Sequence, residues 1–256
     1  MAPGWYAIAG LTGALLAGAS VYCILTSLPP WRSAKVRPPA PPGFHPLSVL
    51  KPLAGAEPEL YANSRSFFLQ DHPQFELIFA VRRQDDPAVA IVDRLRQEFP
   101  YQPARLLITG DPPYPNAKVF SLHRMLEAAR HPHLVMSDSD IRVNPGFLKQ
   151  IDAEFHAGAA LITCPYRAVA ADSLWSRLEA ITLNTEFLGG VLVARMLEGM
   201  RFALGPTIAC HRQVIEQAGG WQELKDYLAE DFVLGQRAAA QGSTVILSSA
   251  VIEHHI

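Results

Sequence analysis

HLVMSDSDIRVNP, His133–Pro145, is the stretch on which the reading of this chain turns. Leu134, Val135 and Met136 run into Ser137, and Asp138 and Asp140 follow two positions apart. A short apolar run closed by polar residues predicts a buried strand with a carboxylate pair at its end. In extended backbone, residues i and i+2 point to the same side, so both carboxylates can face one cation. Mg²⁺ or Mn²⁺ suits such a site, since these ions favour hard oxygen ligands and share them with water and substrate phosphate. The competing reading is a solvated acidic loop after a strand. An EF-hand is excluded, because Arg142 stands at its third ligand position and Val143 at its required glycine.

Outward from this stretch, apolar runs alternate with helical patterns. Strands are expected at Leu47–Leu50, Phe75–Val81 (FELIFAV), Ala104–Thr109 (ARLLIT), His133–Ser137 and Ala159–Cys164. Helices are expected between them at Pro58–Leu69, Pro87–Phe99, Lys118–Ala129 and Phe147–Phe155. Strands separated by helices imply βαβ units and a mainly parallel sheet, an α/β fold. Ligands of such sheets bind beyond the carboxyl ends of the strands. Asp85 and Asp86 follow the second strand and Asp138 and Asp140 the fourth, so both pairs fall on that edge. This placement favours the cation reading over the solvated loop.

Neither G-x-G-x-x-G nor G-x-x-x-x-G-K-[ST] occurs, so a nucleotide bound here would rely on a metal and basic side chains instead of a glycine cradle. Lys118, in Pro115-Asn116-Ala117-Lys118, opens the helix before the acidic strand, where an ammonium beside a helix N-terminus suits a diphosphate. Further on, Leu174–Phe202 is long and apolar: either a core helix pair or a surface against a bilayer. Short helices are expected at Gln213–Ala218 and Tyr227–Gln241, with a last strand at Val245–Leu247. Glu230 and Asp231 sit in the first turn of the second helix. They serve there either as dipole partners or, for Asp231, as a general base. The adjacent His254 and His255 do not form a metal site, since neighbouring strand residues face opposite ways.

The N-terminus adds a second layer. Trp5–Leu28 runs 24 residues without a charge, long enough at ~1.5 Å per residue to cross a ~30 Å hydrocarbon core. Trp5, Tyr6, Tyr22 and Trp31 lie near its ends, where aromatics favour the interface. No Lys or Arg precedes it and Arg32, Lys35 and Arg37 follow. This favours an anchor over a cleaved signal and places the rest of the chain in the cytoplasm. Arg37–Pro46 holds five prolines in ten residues, an extended spacer. The expected organisation is a transmembrane helix at 1–30, a tether at 31–46 and an α/β domain at 47–256. A net charge of −2 gives no case for nucleic acid, and three scattered cysteines argue against a disulfide scaffold.

VRRQDDPA (81–88), NAKV (116–119), SDSDIRV (137–143) and AEDFVLGQRAAAQG (229–242), with LKPL at 50–53, resemble in order and spacing the motifs of family 2/21 glycosyltransferases. The likeness is greatest to ceramide glucosyltransferases and to the bacterial glycosyltransferase associated with hopanoid biosynthesis. The resemblance implies a GT-A fold and inverting transfer from a UDP-sugar to a membrane-lipid hydroxyl with Mg²⁺ or Mn²⁺, at the bacterial inner membrane. It assigns Asp86 a place near the uridine with Asp85 beside it, Asn116 and Lys118 places near the nucleotide, Asp138 and Asp140 to metal and diphosphate, and Asp231 the role of base. Ceramide glucosyltransferases carry glycine where this chain has Asp140. The family's Q/R-x-x-R-W motif and later membrane helices do not follow Gln236-Arg237 here, so the C-terminal part of the pattern is expected to be missing. Two other readings remain: a polysaccharide-extending family 2 enzyme, and an inactive membrane-tethered nucleotide-sugar-binding module.

Overall fold

The computed structural model describes residues 5–27 and 43–256. Arg32, Lys35, Arg37 and most of the proline-rich spacer lie outside the described residues. The chain begins with α1 (Trp5–Ser27). Then follow β1 (Leu47–Pro52), α2 (Leu60–Phe68), β2 (Phe75–Val81), α3 (Ala88–Glu98), β3 (Ala104–Ile108), α4 (Ala117–Ala128) and β4 (His133–Ser137). Next come β5 (Ile141–Arg142), α5 (Phe147–His156), β6 (Leu161–Thr163), β7 (Tyr166–Val169), α6 (Leu174–Thr182) and α7 (Leu188–Glu198). The chain closes with β8 (Thr207–His211), α8 (Arg212–Gln217), α9 (Glu230–Ala240), β9 (Val245–Leu247) and β10 (Ile252–His255).

The main sheet runs β3-β2-β1-β4-β8-β6-β9. All its pairings are parallel except those of β8, which lies antiparallel between β4 and β6. All seven residues of β2 are buried, as a strand covered on both faces requires. Its alternation still sorts them: Leu77, Phe79 and Val81 join one core with Phe67, Phe68, Val92 and Phe147, while Ile78 and Ala80 join another with Val119, Leu122 and Met125. One face thus carries α2, α3 and α5, the other α4, α8 and α9. The expected α/β class, a mixed, mainly parallel sheet flanked by helices, is what the chain forms.

Two features were not expected. The antiparallel β8 splits what a pure βαβ reading would join, and a second sheet, β5-β10-β7, stands beside the binding edge. β10 pairs antiparallel with β5 and parallel with β7, which brings the last residues over the acidic stretch.

The apolar segment after β7 is one long helix. α6 and α7 are joined by a π-helical turn at Leu183–Phe187. There the Asn184 side chain accepts from Ala168 N at 2.8 Å and donates to Ala168 O at 2.9 Å, tying the helix to β7. Leu174, Trp175, Ile181, Met196 and Leu197 are all exposed, so the segment is not a core helix pair. It meets the end of α1: Gly189 leaves room for Thr26, and Tyr22 Oη donates to Glu186 O at 3.4 Å. By length and composition α1 and Leu174–Glu198 are both apolar enough to cross a membrane.

Candidate functional site

The carboxyl ends of β1 and β4 and the start of β8 form the floor of the site. Lys51, next to last in β1, is wholly buried. Its ammonium donates to the carbonyl of Asp138 at 2.6 Å and lies 4.2 Å from the centre of the Phe67 ring. Burial pushes its pKa down to about 7, against the pull of Asp138, Asp140 and Glu57.

Asp138–Ile141 is a turn and not extended strand, closed by Ile141 N donating to Asp138 O at 3.4 Å. This corrects the picture of two carboxylates side by side on one strand face. Each instead has its own basic partner. Asp138 Oδ1 meets Lys118 Nζ at 2.7 Å, and Asp140 Oδ2 meets His254 Nε2 at 3.0 Å. Burial raises the Asp138 pKa, with Lys118 opposing and Asp140 adding to the rise. Burial also works against ionised Asp140, but the His254 hydrogen bond and the charges of His254 and Lys51 hold it below its usual value. Among the described residues, buried Asp140 Oδ1 has no hydrogen-bond partner.

The wall opposite is made by α4 and α9. Asn116 caps α4, accepting from Val119 N at 3.0 Å, and its amide donates to Tyr227 O at 3.0 Å, so one residue fixes both the helix start and the loop before α9. Lys118, in the first turn, lies between Asp138 and Glu230, whose Oε1 is 3.5 Å away. Burial lowers the Lys118 pKa, but the two carboxylates outweigh it and the net direction is upward. Asp231 is held against backbone: a Cβ placed on Gly205 would come within 2.7 Å of its Oδ2. One turn later Gly235 lies against Phe202 and Ala203, where a Cβ would stand 2.3 Å from Ala203 N. Two glycines therefore let α9 approach segment 202–205 closely enough to seat Asp231 beside the sheet edge.

The resulting cleft, about 620 Å³, is lined by Asn116, Lys118, Gly205, Tyr227, Glu230 and Asp231. Asp138 opens into its inner end with Lys118, Gly205 and Asp231. Asp140 faces a separate hollow of about 470 Å³ with Glu57, Glu59 and His255. Asp86 is half-buried and holds its own loop, accepting from Gly55 N at 3.0 Å and Ala88 N at 2.9 Å. Asp85 is exposed and paired with Arg83 Nε at 3.2 Å. The structure thus gathers Asn116, Lys118, Asp138 and Asp231 in one cleft, sets Asp140 in the adjoining hollow and leaves Asp85 outside. Lys51 and Gly205 escaped the sequence reading, while Glu230 was read there only as a dipole partner and His254 only as no metal ligand. A lysine inside the apolar strand LSVLKP was the one visible signal.

The profile described as Glycosyl transferase family 21 matches residues 11–256. The chain belongs to that family. Ceramide glucosyltransferase 1 of Caenorhabditis elegans is 30% identical over 219 residues, covering 84% of this chain and 46% of the relative. A second C. elegans protein, Ceramide glucosyltransferase 3, is matched over 44% of its length. The chain spans about half the length of the curated relatives it matches. Among solved structures, the mannosyltransferase PcManGT from Pyrobaculum calidifontis, in complex with GDP-Man and Mn²⁺, superposes with a TM-score of 0.63 at 17% identity, over 93% of this chain and 67% of that one. S. aureus TarS residues 1–349, in complex with UDP-GlcNAc, gives 0.58 at 16% identity over 82% and 58%. The family 21 chain has the GT-A-type glycosyltransferase fold these neighbours share.

Proposed function

We propose that this family 21 chain transfers a sugar, glucose or N-acetylglucosamine, from a UDP-sugar to the hydroxyl of a membrane lipid of the ceramide or hopanoid type, with inversion. The observation that carries the reading is the placing of Asp231 in the same cleft as the Lys118–Asp138 ion pair. A base and a cationic anchor for the leaving group then flank one space.

The donor set also fits a divalent ion. Asp138 and Asp140 offer hard oxygens from adjoining hollows, and among the described residues Asp140 Oδ1 is a buried oxygen without a hydrogen-bond partner. Mg²⁺ or Mn²⁺ held there would supply charge stabilisation for the departing diphosphate. The chain's own groups supply the rest. Lys118, freed from Asp138 by the ligand, pairs with a phosphate oxygen at the α4 N-terminus, where the helix dipole favours negative charge. Asp86 holds the loop at Gly55 beside the uridine position. Asp231, its carboxylate fixed above Gly205, accepts the proton of the attacking hydroxyl. Exposed Leu228 and Phe232 beside it give a lipid acceptor an apolar approach. Residues 1–30 then act as anchor, 31–46 as tether and 47–256 as transferase domain. Exposed α6 and α7 would rest on the cytoplasmic face of a bacterial inner membrane.

The test is UDP release by detergent-solubilised protein, with UDP-glucose and UDP-N-acetylglucosamine, with and without Mg²⁺ or Mn²⁺, across ceramide and hopanoid alcohols. Asp231→Asn should bind UDP with unchanged affinity and lose transfer by ~10²–10⁴-fold, the usual contribution of a general base. Equal loss of UDP affinity would remove Asp231 from that role. UDP binding with no release on any lipid would support the inactive binding module instead.

A further inference from the structure

The end of the sheet away from the proposed catalytic cleft carries a second cluster of metal-ligating side chains. His45 stands just before β1, Asp152 and His156 lie one turn apart on α5, and His72 is in the loop before β2. Their donor geometry converges on one carboxylate. His45 Nδ1 is 2.8 Å and His156 Nε2 3.7 Å from Asp152 Oδ1, and the His45 and His156 rings stack with centres 4.0 Å apart. The donor atoms of His45, Asp152 and His156 lie within 4.8 Å of one another.

Asp152 is fully buried; its Oδ1 also accepts from His45 N at 3.1 Å, and among the described residues its Oδ2 has no hydrogen-bond partner. His72 Nε2, also buried and without a hydrogen-bond partner among the described residues, faces that oxygen at 3.7 Å. A buried carboxylate with an idle oxygen costs free energy unless a cation compensates it.

We propose that His45, Asp152 and His156 bind a zinc-class divalent ion, with water in the fourth position, at a site separate from the carboxylate pair of the catalytic edge. Two imidazoles and one carboxylate form an N₂O donor set that suits zinc, whereas Asp138 and Asp140 offer only the hard oxygens that magnesium and manganese prefer. Donors on a tetrahedral zinc at ~2.0–2.1 Å sit roughly 3.3 Å apart. The observed 2.8 and 3.7 Å separations from Asp152 Oδ1 bracket that value, and the stacked His45 and His156 rings would rotate to turn their donors onto the ion. Asp152 Oδ1 would ligate, and His72 would donate to the free Oδ2, the outer hydrogen bond that orients a ligating carboxylate. Such an ion would lock the residue entering β1 onto α5. It makes no use of the proposed transfer chemistry and stands or falls apart from it.

The experiment uses the full chain in detergent, purified without a histidine tag and stripped with chelator. Zn²⁺ is titrated against a chromophoric competitor, and the apparent unfolding temperature is followed with and without Zn²⁺. Wild type should bind one tight Zn²⁺ and unfold at a higher temperature with it, and the double variant Asp138→Ala/Asp140→Ala should behave alike. His156→Ala, at the end of α5, should weaken binding by more than ~100-fold, since even outer hydrogen-bond partners of metal ligands contribute about 10–100-fold. Absence of tight Zn²⁺ in wild type, its loss only in the Asp138/Asp140 variant, or unchanged affinity in His156→Ala would each overturn the proposal. If His156→Ala fails to fold, Co²⁺ in wild type decides: intense visible bands of a tetrahedral ion support the site, and a six-coordinate aqueous-type spectrum overturns it.

Discussion

Replacing Gly235 by alanine sets two known effects against each other. Gly235 lies inside α9, and a mid-helix Gly→Ala change by itself favours the helix by about 0.8–1 kcal/mol. Here the added Cβ would fall 2.3 Å from Ala203 N, 2.5 Å from Phe202 C and 2.7 Å from Phe202 Cα. Carbon contacts are comfortable near ~3.5 Å, so α9 and segment 202–203 must separate by about an ångström. Overpacking typically costs 1–3 kcal/mol, and none of the three atoms belongs to a side chain that could rotate away. The cost therefore belongs at the upper end of that range or beyond it. The clash wins, with a net loss of about 2 kcal/mol. For a chain of this size each kcal/mol moves the midpoint by roughly 2–4 °C. A thermal scan in detergent should thus show a drop of roughly 4–8 °C. Asp231 lies four residues earlier on the same helix face, so the separation also lifts it from Gly205. A displacement near 1 Å can lower turnover ~10²-fold, which UDP release at saturating donor would read. Gly190→Ala is the contrast: its Cβ meets only Tyr22 Oη at 3.6 Å, so the propensity gain should stand. If Gly235→Ala melts like wild type and turns over normally, the close approach of α9 to 202–205 is not what seats Asp231.

Three further outcomes are expected. Gly205→Ala places a Cβ 2.7 Å from Asp231 Oδ2, the free end of a side chain, so the midpoint should hardly change while turnover falls at least ~10-fold; unchanged turnover would show that Asp231 does not work from this position. Asp138→Ala should abolish metal-dependent UDP binding, and isothermal titration showing the same metal requirement in that variant would dismiss Asp138 as a ligand. Glu76, buried on β2, is disfavoured as a charge by burial but held below its ordinary pKa by Arg130 N, Ser48 and Arg105. Because its folded value is depressed, its stabilisation is present above the unfolded pKa of ~4.3 and is lost as pH falls through the folded value. Glu76→Gln should therefore be less stable at pH 7 and show a shallower acid decline, and parallel pH–stability curves for the two proteins would refute this.

The parts of the molecule legible in the sequence are those set by local pattern. FELIFAV and HLVMS announced β2 and β4 because strands buried on both faces are runs of apolar residues, and ARLLI announced β3, a half-exposed strand at the sheet edge. The helices expected from Lys118 and from Tyr227 begin at Ala117 and Glu230, one and three residues away. What escaped depends on partners far along the chain. β5 is two residues long and β10 reads IEHH, so neither carries a usable period, yet their pairing brings His254 to Asp140 from 114 positions away. Lys51 reaches the Asp138 carbonyl across 87 positions.

The acidic pair itself shows how far a local motif can carry. Spacing placed both aspartates at the end of β4, which is where they lie, but assumed extended backbone through Ser139. The chain turns there instead, and a turn lets neighbours point apart. Asp138 then answers to Lys118 from α4 and Asp140 to His254 from β10. These basic partners also give the arrangement a physical purpose. Two half-buried carboxylates without an ion between them would repel, and each is paired with a basic side chain from a different element. A divalent ion with a diphosphate would compete with both pairs at once, releasing Lys118 toward phosphate and His254 from Asp140. Under the proposed function the two ion pairs are therefore coupled through the ligand, and His254→Ala should alter the metal dependence of UDP binding although His254 lines neither the cleft nor its inner end. Titrations of UDP against Mn²⁺ in that variant that overlay those of wild type would show that the two aspartates act separately.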